Sequence, residues 1–364
     1  MVKLAATVGM GNNLSSVSAP LLPSPLGFNP IRRCFCVVKS SLLIPARIQG
    51  RLFTPKVRAS SATVVETKPD PVIDETKLNI RKNILACPIC YEPVIWNGDH
   101  VLSLESVAQC TLQCHSCKKS YYGKDSHLDL TVTGGGKVYG ESMPASTELF
   151  RFPLVSFLYE RGWRQSFSIW GGFPGLEKEF ELAKNYLKPV LGGNIIDASC
   201  GSGLFSRIFA KSGLFSLVFA LDFSESMLQQ CYDFIKQEDN FPQENLILVR
   251  ADISRLPFAS GSIDAVHAGA ALHCWPSPSA AVAEISRVLK PGGMFVATTY
   301  ILDGPFSYIP LRRPVRQTVA QISGSHVFLS EKELEDLCTS CGLVNFTWTR
   351  NRAFVMIAAM KPVQ

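Results

Sequence analysis

The sequence predicts an α/β protein built on a doubly wound, mostly parallel sheet, and three observations carry that prediction. From residue 194 onward, short apolar runs alternate with stretches of helical periodicity, a pattern that builds a parallel sheet covered on both faces. The first run passes into the glycine-bearing turn "DASCGSGLF" at 197–205, as the first strand of a ligand-binding doubly wound sheet does. At the C-terminus, "LVNFTWTRNRAFVMIAAMK" places two β-rich runs around the polar turn "TRNR" with no helix between them, which predicts an antiparallel hairpin at the sheet edge.

In order, strands are expected near 194–199, 216–221, 246–250, 263–268 and 293–299, the last after a turn at Pro291-Gly292-Gly293. Helices are expected near 203–212, 224–238, 278–289 and 330–341. With the hairpin, the sheet has seven strands. Residues 146–191 carry apolar residues at three- and four-residue spacings in "STELFRFPLVSFLYERGWRQSF" and "PGLEKEFELAKNYLKPVL", and extend the domain to 146–364 with helices.

The N-terminal part differs. Residues 1–65 hold eight Lys/Arg and eight Ser but no Asp or Glu, the composition of an organelle transit peptide, and "VRAS" at 57–60 resembles a plastid processing site. Residues 1–59 are therefore expected to direct the chain to the chloroplast, and the polar, proline-broken 60–83 to act as a linker. Cys34 and Cys36 leave with the leader. Of the formal charge of +6, the first 65 residues carry +8, leaving 28 basic against 30 acidic groups. The remainder has no global electrostatic case for nucleic acid. The longest apolar runs, such as "GLFSLVFAL" at 213–221, reach about half of the ~20 residues a membrane span needs, so any membrane contact is peripheral.

Residues 84–132 form a small module with "CPIC" and "CHSC", 23 residues apart between the inner cysteines. Two such knuckles place Cys87, Cys90, Cys114 and Cys117 as a tetrahedral set for structural zinc, at ~2.3 Å per thiolate. Disulfide pairing is the rival reading, and Cys110 and His115 are substitute ligands.

Within the larger domain, Gly201 and Gly203 remove side chains where the backbone turns tightly or meets a ligand. Asp222 ends the second strand, 19 residues after Gly203, and can accept both ribose hydroxyls of a nucleoside, each bond contributing ~1.5–3 kcal/mol. An NAD turn would continue G-x-G-x-x-G, but Ser206 occupies the last position. Asp252 ends the third strand and can accept the exocyclic amine of adenine. The series Asp197/Gly201/Gly203, Asp222, Asp252, Asp264 and "LKPGG" resembles the class I S-adenosylmethionine-dependent methyltransferases, in particular their small-molecule and quinone-type branch, over residues 146–364. The resemblance implies a Rossmann-like sheet and S-adenosyl-L-methionine as cofactor. It implies that Asp197 meets the methionine amine, directly or through water, that Asp222 holds the ribose, that Phe223 and Met227 line the adenine pocket, and that Asp252 with the Ile253 amide reads adenine. Ser199 departs from the family's glycine and fits if its φ is negative; Asp264 supports the fourth strand. The transit peptide, the cysteine module and "YERGWR" together resemble chloroplast methyltransferases associated with plastoglobules, which implies stroma or the plastoglobule periphery as location.

A sulfonium is already activated, so the protein chiefly aligns the reacting atoms, a contribution of ~7–11 kcal/mol. No catalytic residue is assigned. His273 and Trp275, past the fourth strand, are placed toward the transferred methyl, with His273 a base, a hydrogen-bond donor or an ordinary loop residue. Tyr159 and Trp163, and Tyr308 and Arg312, lie on two aromatic-rich stretches that either roof a pocket for an apolar ring or prenyl lipid or serve as core and solvated face. The leading expectation is a chloroplast methyltransferase acting on a small or lipid-like, quinone or prenyl-lipid acceptor. The alternatives are a ribosomal RNA guanine methyltransferase, which a zinc ribbon ahead of this domain also resembles, and a zinc-ribbon interaction protein whose methyltransferase fold has lost turnover. Cys338 and Cys341 in "CTSC" share a helix face and read as buried apolar residues or as a thiol switch.

Overall fold

The computed structural model describes residues 84–97, 103–134, 171–301 and 329–363. The expected leader and linker lie outside these residues, as do Tyr159, Trp163, Tyr308 and Arg312. Four short strands come first: β1 (Val94–Asn97), β2 (Thr111–Cys114), β3 (Ser120–Gly123) and β4 (Leu128–Asp129). Helix α1 (Leu176–Leu187) then leads into β5 (Asn194–Ala198), α2 (Leu204–Ser212), β6 (Leu217–Asp222), α3 (Glu225–Gln237), β7 (Leu246–Arg250) and β8 (Ile263–Ala268). The chain closes with α4 (Pro278–Val288), β9 (Leu289–Tyr300), α5 (Glu331–Ser340), β10 (Val344–Asn351) and β11 (Phe354–Met360).

All eleven strands form one sheet, in the order β1-β2-β3-β4-β7-β6-β5-β8-β9-β11-β10. Strands β5 to β9 pair in parallel, and the direction of winding reverses between β5 and β8. The seven strands expected of the larger domain are β5 to β11, and the four strands of the cysteine module extend the same sheet to eleven among the described residues. The physical reason is the free edge of β7, whose unpaired backbone groups take β4 in parallel, with Leu128 opposite Val249 and Asp129 opposite Arg250. The cysteine module is therefore part of the sheet. An antiparallel bridge between Leu85 and Phe258 makes a second attachment.

The strands β5, β6 and β7 are buried almost throughout because they read as continuous apolar runs, and alternate residues feed two layers. Ile195, Val218 and Leu248 pack with α1, α2 and α3 through residues such as Leu187, Phe209 and Leu228. On the other face, Ile196, Phe219 and Val249 pack with α4, α5 and the module through Ile285, Leu334 and Tyr121. Local signals set the helix starts: Ser224 and Ser277 cap α3 and α4, and Ser330 with Glu333 forms a capping box on α5.

Two details differ from expectation. The turn at 291–293 lies inside β9, as an irregularity in its register with β8, with Gly292 at φ +80°. The hairpin is present, but its second strand is interior: β11 lies between β9 and β10, because "FVMIAAM" is apolar on both faces whereas β10 is largely exposed. Asp264 supports the sheet, accepting from the Asn194 N–H at 2.8 Å and pairing with Lys290 at 2.8 Å. Cys338 is fully buried, and burial pushes its thiol up to about 12, so it stays protonated.

Candidate active site

A cavity of about 270 Å³ opens at the carboxyl ends of the parallel strands, beside the point where strand order reverses. Ser199 and Gly201 from the turn after β5, Asp222, Phe223 and Met227 from the end of β6 and the start of α3, and Asp252 and Ile253 after β7 all line it. Its other wall is made of small and apolar residues after β8, including Gly269, Ala270, Cys274 and Trp275.

Asp222 ties two lining segments together. Its carboxylate accepts from the Gly201 N–H at 2.9 Å and from the Ser224 N–H at 2.8 Å. Burial pushes this carboxyl above its usual range, and those N–H donors work against the rise. Asp252 accepts from the Ser254 N–H at 2.8 Å, which orders the loop after β7. The Phe223 carbonyl accepts from Arg250 Nε at 3.1 Å, and the guanidinium lies 5.4 Å from the Phe223 ring.

Ser199 sits at φ +55°, so the negative φ expected for it is corrected. A non-glycine residue there costs about 1–2 kcal/mol. The compensation is a hydrogen bond: Trp275 Nε1 donates to Ser199 Oγ at 2.9 Å, joining opposite walls of the cavity. A glycine would relieve the strain and lose that tie.

Three expected residues lie outside the lining. Asp197 is buried beneath the turn, where Ser206 Oγ donates to one carboxylate oxygen and His267 Nδ1 meets the other at 2.8 Å. Unlike Asp222, it does not reach the lining, so the carboxylate holds the turn from below. Gly203 caps α2 at φ +79°, and an added Cβ would stand 2.1 Å from Cys231 Sγ. Its role is the close packing of α2 on α3. His273 is also buried away from the lining, with Nδ1 3.1 Å from Thr299 Oγ1 and its ring against Tyr300. Cys274 lines the wall, but burial pushes its thiol up to about 12.

His267 was not singled out from the sequence. The available signal was register: Asp197 and His267 are direct partners on the neighbouring buried strands β5 and β8. Each of these largely apolar runs holds two polar residues, and which of them pair shows only once the runs are aligned.

In the module, Cys87, Cys90, Cys114 and Cys117 bring their sulfurs within 4.8 Å of one another, and all four are free thiols. The nearest pairs are Cys90–Cys114 at 3.4 Å and Cys87–Cys117 at 3.6 Å. Burial raises the Cys87 thiol, but hydrogen bonds from Tyr121 and from backbone N–H groups outweigh it and bring it to about 7. Cys110 faces away: its thiol donates to the Ser106 carbonyl at 2.8 Å, and burial pushes it up to about 11. Neither Cys110 nor His115 belongs to the four-sulfur cluster.

The comparisons with known proteins agree with this geometry. A family model described as a methyltransferase domain matches residues 196–297, which run from β5 into β9 and contain the cavity. A chloroplastic methyltransferase of Arabidopsis thaliana is 68% identical over 283 residues, covering 77% of this chain and 79% of that protein. The chain belongs to the class I methyltransferases. A second chloroplastic methyltransferase of the same plant is 44% identical over 366 residues, 99% of each chain. The methyltransferase is thus an S-adenosylmethionine-dependent enzyme of the chloroplast. A demethylmenaquinone methyltransferase of Staphylococcus aureus is similar over a shorter stretch, 38% identical over 125 residues, or 32% of this chain and 50% of its own.

Proposed function

We propose that this methyltransferase binds S-adenosylmethionine in the cavity and methylates a small or lipid-like acceptor of the quinone or prenyl-lipid class. The observation that carries the reading is the polarity of the two walls. One wall presents Asp222 and Asp252 beside Phe223, Met227 and Ile253; the other is small and apolar around Gly269, Ala270 and Trp275. The first wall fits a nucleoside: Asp222 accepts ribose hydroxyls, the apolar side chains enclose the base, and Asp252 with the Ile253 amide meets its polar edge.

The cofactor supplies a methyl group on a positively charged sulfur. The chain's residues then have to align that carbon with the acceptor, a contribution of ~7–11 kcal/mol, and keep water out. Ser199 and Trp275, joined across the cavity, fix its width. Asp197 acts through the turn, since it lies beneath the lining, held by His267 and Ser206. No base is assigned: His273 is packed on Thr299 and Tyr300.

The likeness to a demethylmenaquinone methyltransferase and the apolar second wall support the acceptor class. No helix among the described residues is long and apolar enough to cross a membrane, and contact with a plastoglobule surface would be peripheral. Residues 84–132 contain three lysines and five acids, so the module lacks the basic excess that an RNA reading needs. The four-thiol cluster suits structural zinc, which such a donor set holds tetrahedrally.

Tritiated S-adenosylmethionine incubated with the enzyme, plastid prenyl lipids and plastid ribosomal RNA tests the proposal. Label in the lipid fraction is expected; label in RNA alone would contradict it.

A further inference from the structure

The loop after β7 has two sides. Its front, Ala251 to Ser254, lines the cavity; its back rests on the first cysteine knuckle. Arg255 makes that join, with Nε donating to the Pro88 carbonyl at 2.8 Å and a terminal nitrogen to the Ile89 carbonyl at 3.0 Å. Pro88 and Ile89 are the two residues between Cys87 and Cys90, so the carbonyls that Arg255 reads belong to the turn fixed by two of the four thiols. Backbone bonds reinforce the contact: Ala86 N–H donates to the Pro257 carbonyl at 3.0 Å, and Ala259 N–H to the Ile84 carbonyl at 2.8 Å.

A second connection reaches the neighbouring segment. Arg250 pairs with Asp129 of the module at 3.0 Å while its Nε donates to the Phe223 carbonyl. On the opposite side, Arg287 of α4 donates to the Leu256 and Phe258 carbonyls, each at 2.8 Å, so the loop has a fixed frame to be pressed against. The module therefore grips the two segments that the proposed function assigns to the nucleoside. It does not touch the turn after β5 through any of these bonds.

We propose that Arg255 is a positioning residue that couples the four-thiol site to the nucleoside half of the cavity, so that metal loading of the knuckles raises cofactor affinity. The inference rests on the cofactor and zinc assignments made above. Loading holds Cys87 and Cys90 to one geometry, which fixes the Pro88 and Ile89 carbonyls. Arg255, held at two points, then fixes Asp252 and Ile253. Because coupling between two binding sites is reciprocal, cofactor binding must tighten zinc by the same factor.

The test uses the full chain, calorimetry with S-adenosylhomocysteine, and zinc affinity measured by competition with a chromogenic chelator. In the wild type, zinc removal is expected to weaken S-adenosylhomocysteine about five- to tenfold, within the usual range of coupled sites, and saturating S-adenosylhomocysteine to tighten zinc equally. Arg255→Ala should bind one zinc, bind S-adenosylhomocysteine about five- to tenfold more weakly, and show no tightening of zinc by that ligand. Arg255→Lys, which can keep one of the two carbonyl bonds, should recover part of the loss. In an Asp252→Ala background, Arg255→Ala should cost much less, whereas a general loss of structure would cost the same in both backgrounds. Wild-type affinity in Arg255→Ala, or zinc and ligand affinities that ignore one another in the wild type, overturns the coupling while leaving the cofactor reading intact. Failure of the wild type to bind S-adenosylhomocysteine overturns both. If the metal-free chain unfolds, the Arg255 variants still decide, because no sulfur ligand is altered in them.

Discussion

The turn after β5 and the loops after β6 and β7 line one cavity but are held by different physics. The turn is anchored from beneath, where Asp197, His267 and Ser206 form a buried polar cluster under the Phe205 and Phe209 rings. The loops are anchored from the side, by Arg250 and Arg255 reaching into the cysteine module. The turn therefore depends on the core of the sheet and the loops on an edge extension. The difference teaches that damage to the module and damage to the core should disturb the cavity in separable ways.

The strongest way to break this comparison is to remove a thiol. Cys114 is fully buried, and Cys114→Ser should abolish one-to-one zinc binding and lower stability on the order of 4–5 kcal/mol, as loss of a structural metal does. Metal analysis and urea unfolding would show it. Retention of one zinc per chain would contradict the four-thiol assignment.

The matching change beneath the turn is His267→Ala, which leaves one oxygen of the buried Asp197 carboxylate without its partner while Ser206 keeps the other. Leaving a buried acceptor unsatisfied in this way costs about 1–3 kcal/mol. Here zinc content should stay at one while the urea midpoint falls. A parallel loss of zinc would mean that the turn and the loops are not held independently.

The junction between the regions has its own pH signature. His127 is buried among Lys124, Glu225, Asp129 and Arg250, and burial holds its imidazole down at about 4. A lowered folded value means that the unfolded chain takes the proton first as pH falls. Stability from this group is complete above pH ~6.5 and declines toward pH ~4, by up to about 3 kcal/mol. Unfolding measured from pH 7 to 4 should show this slope, and His127→Gln should flatten it.

Ser199→Gly sharpens the comparison with the smallest effect. It relieves the left-handed strain and forfeits the Trp275 bond, terms of about 1–2 and 0.5–1.5 kcal/mol that oppose one another. Thermal unfolding should change by less than about 1 kcal/mol.

Much of the sheet was legible in the sequence because β5, β6 and β7 are short apolar runs between helical stretches, and Asp222 and Asp252 end their runs in plain view. The direction in which an acid points was not legible. Asp197 and Asp222 both lie at the carboxyl ends of strands, yet one faces His267 inside and the other the cavity, and only the pairing of β5 with β8 separates them. The docking of the module was hidden for a different reason. It depends on a two-residue strand and on two arginines that, in sequence, look like ordinary surface charges. The interior position of β11 did have a signal, since a seven-residue run apolar on both faces belongs between two strands.

The most direct measurement is calorimetric titration of the zinc-loaded chain with S-adenosylhomocysteine, beside Asp222→Ala. Asp222 lines the nucleoside wall, and loss of its charge-assisted bonds, ~1.5–3 kcal/mol each, should weaken binding at least about tenfold. Micromolar binding that falls by this factor is the predicted result. Equal affinity in the variant, or no binding by the folded wild-type chain, would contradict the assignment of the cavity to the cofactor.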